Sequence, residues 1–191
     1  MTNKEKFESY VRLYVQRDGV EDFLKDLEVN GFYEAWASTT FHCNYTGGLV
    51  EHTLNVITYA LRLRDTFDSK VPIESIVLCA CGHDVGKAYG YYIDNLLKSG
   101  KTSGSKPKKI NPKLMIKSHA MRSLTIMSKF FDLTESEKMC ILSHDGWYVN
   151  TNREYMLTLD ELLYIVHSAD LYVARFVEPV KSYKKGDEIK L

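Results

Sequence analysis

The sequence predicts an all-α fold. Apolar residues recur at helical rather than alternating spacing through most of the 191 residues, only four prolines interrupt them, and no Asn-Gly-type hairpin signal joins two alternating runs. The spacing places helices at about 4–16, 20–30, 48–66, 72–83, 113–131, 135–144 and 159–177, about seven in all. The first two rest on periodicity alone. The third presents Leu49, Val56, Ala60 and Leu63 on one face, and His52 shares that face. The fourth opens on Pro72, whose fixed φ suits a first helical turn, and runs through the apolar stretch IVLCACG to His83-Asp84, with Gly86 as the expected terminator. The fifth sets His119 near Ile116, Ala120 and Met127. The sixth opens on Thr134 with Glu137, the spacing of a capping box, and brings His144 near Cys140 and Ile141. The seventh has the same box at Thr158 and Glu161, and its stripe of Leu159, Leu162, Leu163, Val166 and Val173 includes Asp170.

Length and composition suit one domain over 1–191, with N-terminal helices to about 40, a core over 41–177 and a polar tail at 179–191. With 45% hydrophobic residues the chain has ample core material and is neither disordered nor collagen-like. Lys+Arg and Asp+Glu number 25 each, so nothing global favours long nucleic acids or anionic membranes. A charged start and the lack of about 18 consecutive apolar residues predict a soluble, cytoplasmic protein. Cys43, Cys79, Cys81 and Cys140 lack paired metal-knot spacing and read as reduced core thiols. The biased stretch is 98–117, with seven lysines and no acid; its Gly/Ser-rich part, 98–112, reads as a mobile loop suited to lie over an anionic substrate.

The polar residues on apolar faces carry the chemistry. An ionised carboxylate such as Asp170 cannot be buried alone; it needs a cation, hydrogen-bond donors or a metal. His83 and Asp84 can face one point most easily where a helix ends, and imidazole with carboxylate suits Mn, Fe, Zn or Ni. Four histidines and two aspartates on five helices are hard to explain as unrelated structural accidents.

The order His52, His83-Asp84, His119, His144, Asp170 resembles the HD superfamily of metal-dependent phosphohydrolases, over residues 41–175. FHCNYTGGLVEHTLNV, GHDVGK, ILSHDG and LTLDELLYIVHSADLYVAR match its local contexts, closest to the branch of HD-type 3′–5′ exoribonucleases. Cys43 and Asp145 stand where that branch often has a further histidine. The resemblance implies two divalent ions (Mn, Fe, Ni, Mg or Zn), one on His52, His83, Asp84 and Asp170, the other on His119, His144 and a bridging Asp84. It also implies a metal-activated hydroxide that attacks phosphorus in a nucleotide, short oligonucleotide or other phosphorylated small molecule. Lys87 and Arg122 are candidate phosphate contacts, and His42 a candidate substrate contact. Tyr89, Tyr91, Tyr92, Trp147 and Tyr148 offer rings to a nucleobase. The competing expectations are a 3′–5′ exonuclease on RNA or DNA, with single-stranded nucleic acid as partner, and a di-iron oxygenase of the HD type.

Overall fold

The computed structural model describes residues 1–38, 41–88 and 115–178. The lysine-rich segment 98–112, expected to form a loop, Tyr89, Tyr91, Tyr92 and the segment 179–191, expected to form a polar tail, lie outside the described residues. Among those described, every regular element is helical, as predicted. The long helices are α1 (Asn3–Tyr14), α2 (Val20–Val29), α3 (Gly48–Thr66), α4 (Ile73–Gly82), α5 (His119–Phe130), α6 (Glu135–Ser143) and α7 (Glu161–Tyr172). A five-residue π-helical turn, Val173–Val177, continues α7.

α3 lies centrally, packed on α1, α4 and α7, while α6 packs on α4, α5 and α7. The core is continuous through these helices and is filled by Phe7, Phe23, Phe32, Leu49, Ile57, Ile76, Met127, Ile141 and Leu163, all essentially fully buried. The four cysteines are buried free thiols, in keeping with their core reading. No helix of the described residues is long and apolar enough to cross a membrane.

The predicted box at Thr134 forms: its hydroxyl accepts from Glu137 N–H at 3.3 Å, and the Glu137 carboxylate accepts from Thr134 N–H at 2.8 Å. Glu137 also accepts two hydrogen bonds from Arg17, at 2.9 and 2.6 Å, and one from Ser75 Oγ. A buried carboxylate thereby ties the segment after α1 to the start of α6. The box expected at Thr158 does not form. Leu159 takes a left-handed φ of 56°, so the chain turns there and Asp160 becomes the cap, accepting from Leu163 N–H. Thr158 instead donates its hydroxyl to the Tyr155 carbonyl. α5 begins at His119 rather than near 113, because Ser118 caps it and Arg122 holds the carbonyls of Ile116 and Lys117 outside the helix.

Candidate metal centre

Three local features bring the donors together. Gly47 takes a φ of 82°, and a Cβ on Gly48 would lie 2.0 Å from the Cys43 carbonyl oxygen, so the loop before α3 can fold onto its first turn. His52, just after that turn, is fully buried. α4 ends at Gly82, not at Gly86; His83 is its C-cap and Asp84 leaves helical geometry at φ −114°, which lets adjacent side chains converge. Gly86 has a different use. A Cβ there would lie 2.3 Å from the His119 carbonyl oxygen, so its absence allows α5 to approach. Two bonds hold that approach: Gly86 N–H donates to Ser123 Oγ and Arg122 Nε donates to the Gly86 carbonyl, both at 2.9 Å.

The structure brings all six predicted donors into one region. His52 Nε2 lies 3.1 Å from Asp170 Oδ1, 3.3 Å from His83 Nε2 and 3.7 Å from Asp84 Oδ2. On the other side of the same carboxylate, Asp84 Oδ1 lies 3.4 Å from His119 Nε2 and 3.5 Å from His144 Nε2, which are 3.3 Å apart. Metal–ligand bonds of about 2.0–2.2 Å separate neighbouring ligand atoms by roughly 3.0–3.6 Å. The triads His52/His83/Asp84 and Asp84/His119/His144 therefore come close to the spacing of coordination shells, with Asp170 beside the first through His52. Asp84 Oδ1 is also buried with no hydrogen-bond donor, which a cation between His119 and His144 would satisfy.

The imidazoles are fixed from behind. His83 Nδ1 donates to the Ala80 carbonyl at 2.8 Å and His144 Nδ1 to the Ile141 carbonyl at 2.9 Å. Since a carbonyl only accepts, Nδ1 carries a proton in both rings, and Nε2 is the nitrogen left facing inward as the available ligand atom. His52 Nδ1 donates to Glu178 Oε2 at 2.9 Å, and Glu178 Oε1 accepts from Asn55 at 2.8 Å. Glu178 was missed in the sequence because it lies just past the predicted helix. The π turn brings it back: its N–H bonds to the Val173 carbonyl, and its carboxylate lands on α3.

The electrostatics favour positive charge. Burial pulls the His52 pKa down, but Glu178 and Asp170 outweigh it and raise it to about 10. Burial acts likewise on His144, where Asp145 and Asp84 prevail and the value reaches about 10. Burial would raise the pKa of Asp84, yet Lys87 and His83 hold it well below the ordinary carboxylate range. His119 goes the other way, to about 4, because burial dominates over Asp84.

Lys87 donates its ammonium to Asp84 Oδ2 and lines a cavity of about 420 Å³ together with His42, His144, Asp145 and Asp170. The His42 ring packs against that of His52 at a centroid distance of 4.6 Å, tilted by 37°, and burial, with His52, lowers its pKa to about 4. Arg122, the other candidate phosphate contact, sits behind the start of α5. It is buried, and its Nε and Nη1 donate to the carbonyls of Gly86, Ile116 and Lys117. Its observed contacts brace α5. Asp145, one of the two departures from the exoribonuclease-like pattern, lies 3.3 Å from His119 Nε2. Cys43, the other, is buried against the Tyr45 hydroxyl.

A helical scaffold with two imidazole pairs flanking one buried carboxylate defines a candidate metal centre of the His/Asp type. The HD domain family matches residues 49–175, and the chain belongs to that family. Over 62 residues it is 39% identical to the dihydroneopterin 2′,3′-cyclic phosphate phosphodiesterase of Methanocaldococcus jannaschii, a match covering 30% of this chain and 25% of that protein. The chain thus spans about a quarter of that relative's length. No solved structure matches it significantly.

Proposed function

We propose that this protein is a divalent-metal-dependent phosphohydrolase that cleaves a phosphoester or phosphoanhydride bond in a nucleotide or similarly small phosphorylated molecule. The carrying observation is the Asp84 carboxylate, whose two oxygens face separate imidazole pairs while Oδ1 lacks a hydrogen-bond donor. His52, His83, Asp84 and Asp170 would hold one ion, and His119, His144 and Asp84 a second, with Asp145 beside it. When bound, such a pair supplies Lewis-acid polarisation of phosphoryl oxygens and acidifies a water towards neutrality. Lys87 contributes a cation at the cavity wall, where it can donate to the substrate's phosphate. His42, neutral at pH 7, offers a ring nitrogen to the substrate. Membership of the HD family and similarity to a cyclic-phosphate phosphodiesterase support the reaction class. The cavity supports a small substrate over a polymer, since single ligands fill sites of about 300–1,000 Å³.

The test begins with metal-stripped protein reloaded with Mn²⁺, Fe²⁺ or Ni²⁺ and counted by elemental analysis. Nucleoside monophosphates, cyclic nucleotides and short RNAs are then screened for released phosphate, opened cyclic phosphate or nucleoside. Metal-dependent hydrolysis that Asp84→Asn abolishes, together with its bound metal, is the expected result. Absence of bound divalent ions at saturation would overturn the proposal, as would oxygen uptake without phosphoester or phosphoanhydride cleavage.

A further inference from the structure

The cavity opens between aromatic rings that the proposed chemistry does not use. Phe41, Tyr148 and Phe176 line it, yet they are 64%, 67% and 77% exposed. Exposed apolar rings clustered at the entrance of a polar cavity are surface that a ligand would cover. They are also braced. Phe176 packs on Tyr172 at a centroid distance of 5.2 Å, Tyr172 packs on Tyr59 at 5.4 Å, and the Arg62 guanidinium caps Tyr59 at 5.1 Å. The Arg175 guanidinium, next to Phe176 in the chain, lies 5.7 Å from the Tyr148 ring centroid and within 3.5 Å of its hydroxyl. Rings held from behind lose little freedom on binding, so they favour a flat partner.

We infer that this entrance is a stacking subsite for a planar nitrogen heterocycle, such as a nucleobase, whose attached phosphate reaches the Asp84 centre. The inference deepens the phosphohydrolase reading and rests on it for the position of the phosphate. Phe176 and Tyr148 offer faces to the heterocycle, and Arg175 adds a cation able to stack on the same ring. Specificity then follows from the ring, while Lys87 and the His/Asp donors act on the phosphate common to all such substrates.

The test separates ring from phosphate. With chelator present, adenosine, ribose and ribose 5-phosphate are titrated by ligand-observed NMR into wild type, Phe176→Ala, Phe176→Leu and Tyr148→Ala. Both replaced side chains are exposed, and circular dichroism checks that each of the three variants is folded. Adenosine should bind wild type better than ribose, and each variant should weaken adenosine about 5- to 150-fold, the range for losing one base–aromatic stack. Phe176→Leu keeps apolar bulk without a π face, so wild-type adenosine affinity in that variant would overturn stacking. Adenosine binding no better than ribose would overturn the subsite altogether. Ring-dependent binding without metal-dependent hydrolysis of AMP would leave the subsite standing and remove the hydrolase reading. Hydrolysis of AMP and ribose 5-phosphate with equal KM would do the reverse.

Discussion

Replacing Glu178 by Gln should perturb the proposed metal centre without touching any proposed ligand. Glu178 accepts from two buried donors, His52 Nδ1 at 2.9 Å and Asn55 Nδ2 at 2.8 Å. A glutamine has the same size but a single acceptor oxygen. If that oxygen serves Asn55, the new amide N–H meets His52 N–H, and the imidazole either loses its bond or moves its proton to Nε2. A protonated Nε2 cannot ligate. If the oxygen serves His52 instead, Asn55 is left with a buried donor unpaired, and the charge that reinforced the imidazole is still gone. Loss of such an outer partner weakens metal binding about 10- to 100-fold, or about 1.4–2.7 kcal/mol. An unsatisfied buried group takes about 1–3 kcal/mol from folding. Calorimetric titration with Mn²⁺ reads the first quantity, and urea unfolding of metal-free protein reads the second. Asn55→Ala, which removes one donor and keeps the carboxylate, should affect metal binding less. Wild-type Mn²⁺ affinity in Glu178→Gln would refute the idea that this carboxylate orients His52.

Metal binding should release protons, because His52 and His144 both titrate near pH 10 in the metal-free protein and must lose a proton to ligate. Affinity should therefore rise as pH rises from 6.5 to 8, by about tenfold per unit for each ion that displaces one proton; binding heats that are independent of buffer ionisation enthalpy would refute this. Glu137→Gln should cost about 1–3 kcal/mol at pH 7, since it removes the charge of a buried carboxylate that accepts from Arg17, Ser75 and Thr134, while Arg17, partly exposed, keeps Glu74 as its second partner. Arg17 and its other donors hold the Glu137 carboxyl below its ordinary pKa despite burial, so this stability is present above the unfolded value of about 4.3 and fades as pH falls through the lower folded value. Urea unfolding at pH 7 and pH 3.5 should show the gap between wild type and variant narrowing at the lower pH, and an unchanged gap would refute the assignment.

The legible part of this protein consists of residues whose type contradicts their face. Asp170 was conspicuous because a carboxylate on an apolar stripe demands a partner, and that partner proved to be His52 at 3.1 Å. His83 and Asp84 were conspicuous as a polar pair ending an apolar run, although Gly82 rather than Gly86 ends the helix. Glu178 was invisible for the opposite reason. A glutamate beyond a helix is ordinary, and its burial depends on a π turn that no 3.6-residue periodicity signals. Arg122 looked like a phosphate ligand because it lies one turn from His119. That its Nε and Nη1 donate to the carbonyls of Gly86, Ile116 and Lys117 is a tertiary fact that spacing does not encode.

The π turn at Val173–Val177 links the two halves of the proposed site. It follows directly on the helix that carries Asp170, and it contains Arg175 and Phe176, which face the cavity entrance. It ends on Glu178, which reaches back to His52. An α-helical continuation would change the angular position of every residue after Tyr172, so the same chain could not place Phe176 at the entrance and Glu178 on α3 with these contacts. Widened turns close poorly on themselves and persist where side chains hold them. Here the holding contacts are the Tyr172–Phe176 ring pair on the outside and the Glu178 bonds to His52 and Asn55 on the inside. Ring recognition and imidazole orientation consequently depend on one stretch of backbone. A ligand that presses on Phe176 acts on a segment whose next anchor, two residues on, is the carboxylate holding a metal donor.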